Sequence, residues 1–73
     1  MIVLTKLDSK KILINLDSIK YIESIPDTLI FFINGESVIV REKLEEVRAA
    51  IISYKAQVLA AAEQMGGSGH PAR

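Results

Sequence analysis

From residue 42 onward the apolar positions stop alternating and recur at steps of three and four. Leu44, Val47, Ile51, Tyr54 and Val58 make the strong part of this stripe, and Ala61 and Met65 extend it more weakly. That spacing predicts one α-helix over 42–65 with a single apolar face. At a rise of about 1.5 Å per residue the helix is a rod of roughly 36 Å, whereas strands of six or seven residues reach only about 20 Å. Its second half should therefore overhang any sheet its first half covers. The spacing is also that of a coiled-coil seam, so Leu44, Val47, Ile51, Tyr54, Val58, Leu59 and Met65 are the expected oligomer or partner interface. Leu44 to Tyr54 would serve the chain's own core as much as a seam. From Gln57 to Met65 a second chain is the expected cover.

Before the helix the pattern is that of strands. Ile2 to Leu7 and Lys11 to Asn15 read as a hairpin turned by Asp8-Ser9-Lys10. Asp17-Ser18 opens a short turn into Ile19 to Glu23, whose alternation sets Ile19 and Tyr21 on one face and Ile22 on the other. Pro26-Asp27-Thr28 reverses the chain, with Pro26 presetting φ and Asp27 able to bond the backbone just beyond it. Thr28 to Ile33 then pairs with Glu36 to Arg41 across Asn34-Gly35, the dipeptide best suited to a type I′ turn. Asp8, Pro26, Asp27, Asn34 and Gly35 are thus structural turn residues. Leu29-Ile30-Phe31-Phe32-Ile33 is apolar on both faces, so this strand should be central and covered twice. The expected fold is α+β: a small antiparallel sheet of four to five strands over 1–41, one long helix over 42–65 of the same domain, and a flexible tail over 66–73 stopped from the helix by Gly66-Gly67.

Composition sharpens this picture. Seventy-three residues allow one domain, whose core supplies only a few kcal/mol, so self-association is a natural route to stability. Apolar residues make up 49% and aromatics 5%, which leaves Ile, Leu and Val to fill the core. Cysteine is absent, excluding disulfides and thiolate metal sites, and a cytoplasmic location is expected. Charges interrupt every apolar run, so neither a secretory leader nor a membrane span is expected. Net charge is zero, and residues 1–41 balance five cations against five anions. Nucleic-acid binding, which needs a basic surface, is not expected.

Candidate chemistry is sparse. His70, the only histidine, falls in the glycine-rich tail, far from any partner a catalytic triad or metal site requires. Asp8, Asp17 and Asp27 belong to turns, Glu42, Glu45 and Glu46 to the start of the helix, where its dipole favours negative charge. Asn34-Gly35 is not followed by a phosphate loop. Tyr21, Phe31 and Phe32 could form a base-stacking platform, but without a basic surround they read as core. No catalytic residue, cofactor or metal ligand is expected, and the chain reads as non-enzymatic.

Leu4-Thr5-Lys6-Leu7, Ile14 to Glu23, Pro26-Asp27-Thr28 and Asn34-Gly35, in that order and at these gaps, resemble the flagellar FlbD family, also called SwrD or swarming motility protein. The likeness covers about residues 2–55. It implies a short protein of bacterial flagellar motility without catalytic motifs. Two departures stand out: Asp8-Ser9 replaces the family's Asn-Gly at the first turn, and the helix runs on into the alanine-rich stretch Ala56 to Ala62. A second likeness, of Ile14 to Ser24 to a LytTR-type DNA-binding domain, would make the chain a small nucleic-acid-binding regulator through Lys10, Lys11 and Lys20. The local charge balance argues against it. The resemblance and the stripe together predict a cytoplasmic protein that forms homo-oligomers and binds a flagellar motor or stator component to support motor output, peripheral to the inner membrane through that partner and not inserted in it.

Overall fold

The computed structural model describes residues 1–69, with side chains through Glu63. Five short strands precede one helix: β1 (Ile2–Thr5), β2 (Lys11–Ile14), β3 (Ile19–Ser24), β4 (Thr28–Phe32), β5 (Ser37–Val40) and α1 (Leu44–Gly69), with a 3-10 turn at Leu16–Ser18 between β2 and β3. β1 and β2 form one antiparallel pair, and β3, β4 and β5 form a three-stranded sheet with β4 in the middle. The two sheets meet at one corner, where Lys6 bridges Val40 and the Arg41 N–H donates to the Thr5 carbonyl at 2.7 Å.

Period-two alternation decides which side of each strand is buried. Ile2 and Leu4 point inward opposite Ile14 and Ile12, while Val3 and Leu13 face out opposite each other. In the second sheet Thr28, Ile30 and Phe32 point inward with Val38 and Val40, and Leu29, Phe31 and Ile39 face out. Ile2, Leu4, Ile14, Ile30, Val40 and Val47 form the buried centre. The helix touches this body through β1 and β3. Val47 is 0% exposed, and Ala50, Ile51 and Tyr54 pack against the same centre.

Several expectations are corrected. Ile19 and Ile22 lie on the same, inward face and Tyr21 on the outer one, because Lys20 is an extra residue in the pairing of β3: Ile19 sits opposite Phe32 and Tyr21 already opposite Phe31. A bulge of this kind shifts the alternation by one and turns the side chains beyond it over. Tyr21 and Phe31 are therefore not core residues. Asn15 is not strand but caps the 3-10 turn, its side chain accepting from the Asp17 N–H at 3.1 Å.

The turn at Asn34-Gly35 is not type I′, since only Gly35 has positive φ (92°). The Gly35 N–H donates to the Phe32 carbonyl, the Phe32 N–H to the Glu36 carbonyl, and the Glu36 N–H to Asn34 Oδ1. The first hairpin repeats the pattern: Ser9 to Lys6, Lys6 to Lys10, and the Lys10 N–H to Asp8 Oδ1, with Ser9 at φ 74°. Both are type I turns followed by a bulge residue in the left-handed region. Asn34 and Asp8 act through their side chains, which suits the third position of such a turn. Between β3 and β4 the Ile25–Pro26 peptide is cis, and the Ile25 N–H donates to the Asp27 carbonyl at 3.1 Å. The loop is closed by main chain, not by the Asp27 carboxylate.

The helix begins at Leu44 and runs through Gly66-Gly67 to Gly69, so the glycines do not stop it. Glycine disfavours a helix by about 1 kcal/mol each without breaking its hydrogen bonds. Residues 66–69 of the expected tail are therefore helical, and the rest of it, residues 70–73 with His70, lies outside the described residues.

Candidate interaction surfaces

The start of α1 is tied down by three side chains. Glu42 accepts from the Thr5 N–H (2.9 Å) and from the Thr5 hydroxyl (2.8 Å), and Lys11 Nζ donates to that same hydroxyl oxygen at 2.9 Å. Burial pushes the Glu42 carboxyl up, but the Thr5 hydrogen bonds, its own N–H and the Lys11 charge outweigh it and hold the pKa below the ordinary 4.5. Arg41 donates to the Leu7 carbonyl. Lys43 precedes the helix without a capping side chain, and Glu46 supplies half of a capping box by accepting the Lys43 N–H at 2.8 Å. Glutamate three residues into the helix was the sequence signal for this cap. These contacts fix the direction in which the helix leaves the body.

From Lys55 to Glu63 the helix has none of the described residues packed under it. Every residue from Lys55 to Glu63 is exposed, and the segment from Lys55 to Gly69 adds about 22 Å of rod, giving a molecule of 50 × 22 × 19 Å. From Ala56 to Ala62 the single polar residue is Gln57. Val58 is 49% exposed, Leu59 60% and, two turns before Leu59 on the same face, Ile52 54%.

The expected interface is thus divided by the fold. Val47 belongs wholly to the chain's own core, and Ile51 and Tyr54 mainly so. Leu44, 36% exposed, borders an apolar hollow of ≈ 330 Å³ shared with Ile22, Arg48, Ile51 and Ile52. Val58 and Leu59 stand free of the body, and the side chain of Met65 lies outside the described residues.

A second apolar surface was missed as such. The outer face of β3-β4-β5 carries Tyr21, Leu29, Phe31 and Ile39, with Tyr21 and Phe31 stacked at 4.5 Å between ring centroids. Tyr21 is 46% exposed, and no element among the described residues covers this face. The double apolar alternation of β4 was its signal: the inner cover is the core, and the described residues supply no outer cover. Among the described residues no cluster of three His, Cys, Asp or Glu is placed to hold a metal ion, and no helix is long and apolar enough to cross a membrane.

A family model described as flagellar and swarming motility proteins (FlbD) matches residues 1–59. The chain belongs to the FlbD family. The match takes in both hairpins, the central strand and the helix as far as Leu59, so the last turns of the rod lie beyond what it spans. Comparisons with curated proteins and with solved structures returned no match.

Proposed function

We propose that this FlbD-family chain is a non-enzymatic, cytoplasmic interaction protein of the flagellar motor. It self-associates and binds a motor or stator component, supporting motor output by holding an assembly together. Family membership supports the motility role. The observation that carries the interaction role is the exposed, nearly all-apolar rod from Ala56 to Ala62. A helix apolar on all sides is a helix that is buried in its working state. The outer face of β3-β4-β5 offers a separate surface, so self-association and partner binding need not compete. Location at the inner membrane would come through the partner.

The test uses a motile bacterium lacking its own copy of the gene. Val58→Asp with Leu59→Asp should leave circular dichroism and the unfolding midpoint close to the parent, remove the oligomer in light scattering, and reduce swarming. Full swarming by a folded, monomeric variant would sink the reading.

A further inference from the structure

We infer that the projecting half of α1 pairs antiparallel with the same segment of a second copy, the two rods crossing near Leu59. This deepens the self-association proposed above and rests on it. Two apolar stripes run along the helix. Val47, Ile51, Tyr54 and Val58 follow the core; Ile52, Ala56 and Leu59 recur at steps of four and three on a face turned about 140° away. All three residues of the second stripe are exposed; Ile52 borders the hollow shared with Ile22, and Ala56 and Leu59 project beyond the body.

The occupant is argued from size and charge. Alanines at 56, 60, 61 and 62 leave a slim rod, which favours the close approach of another helix over the wider spacing of a sheet. The exposed charges flanking Leu59 on this face are Lys55 and Glu63, one four residues before it and one four after. An antiparallel crossing at Leu59 brings Lys55 within reach of the second copy's Glu63, and the reverse, by two-fold symmetry. A parallel, in-register pair would set Lys55 against Lys55 and Glu63 against Glu63. Exposed pairs of this kind add little affinity but select orientation. The antiparallel arrangement also points the two β bodies to opposite ends, where neither obstructs the other.

The chain has no cysteine, so single cysteines report orientation directly. Lys55→Cys and Glu63→Cys are prepared separately, mixed, and equilibrated in a glutathione redox buffer. The expected result is a mixed disulfide between the two variants in clear excess over either self-disulfide. Lys55→Glu or Glu63→Lys alone should weaken the dimer about three- to fivefold, and the two together should restore it. Self-disulfides in excess, or a double reversal weaker than both singles, overturn the antiparallel arrangement and leave self-association standing. A monomeric mass across micromolar concentrations, with no disulfide dimer of any kind, overturns both.

Discussion

Ser9 and Gly35 hold the same place in two hairpins of the same geometry, and only one of them is suited to it. Both have left-handed φ, 74° and 92°, which costs a residue with a Cβ about 1–2 kcal/mol. Ser9→Gly should therefore stabilise the chain by about 0.5–1 kcal/mol, the gain being partly offset by the greater freedom of glycine in the unfolded state. Gly35→Ala should cost about 1 kcal/mol, and through backbone strain alone, since a Cβ there meets nothing within 4 Å. Urea unfolding of the two variants beside the parent checks both signs. Glu42 gives a pH dependence at the same scale. Its folded pKa lies below the ordinary 4.5, so the unfolded chain takes up its proton first. The stability this group contributes is fully present above the unfolded value and is lost as pH falls through the folded one. Glu42→Gln should unfold at lower urea than the parent at pH 7, and the difference should shrink on acidification through the carboxylate range. A difference that grew instead would show that burial, not Thr5, governs this carboxyl.

Within the single helix two roles meet, and the boundary lies at Tyr54. Val47→Ala should cost roughly 1–3 kcal/mol of unfolding free energy, because it opens a cavity at a fully buried site. Val58→Ala should change the unfolding of the dilute chain by less than about 0.5 kcal/mol, as expected of an exposed position. Equal costs at the two sites would mean that the rod is held against the body. Much of this was legible in the residue pattern: the stripe, the length mismatch and all five strands follow from periodicity and turn residues. The bulge at Lys20 was not, since an extra residue is defined only against a partner strand. Nor was the turn type at Asn34-Gly35, because the same dipeptide serves two geometries that differ in which residue carries positive φ. Nor was the helix start, since no Ser, Thr, Asp or Asn stands at Lys43 to mark it and the capping carboxylate comes from Glu46.

At the scale of the molecule, a body with so small a core leaves one face of its sheet unburied. Inward residues of β3, β4 and β5 meet the core, and the outward row of Tyr21, Leu29, Phe31 and Ile39 packs only within its own sheet, with no second layer over it among the described residues. Alternation along β4 revealed two apolar faces but could not say that the described residues cover only one; that depends on how many layers the fold builds. A face left bare within the fold should be tolerant of charge where the inner face is not. Ile39→Lys and Tyr21→Lys should each shift the unfolding free energy by less than about 1 kcal/mol. Ile30→Lys, at a fully buried site, should leave no folded chain, because an unpaired charge would be trapped in the core. If the outer face carries the motor partner, Ile39→Lys with Tyr21→Lys should keep the parent's oligomer in light scattering while swarming falls. Swarming at the parent level with both lysines in place would move the partner's footprint elsewhere, and the hollow bordered by Leu44 and Ile52 would be the next surface to charge.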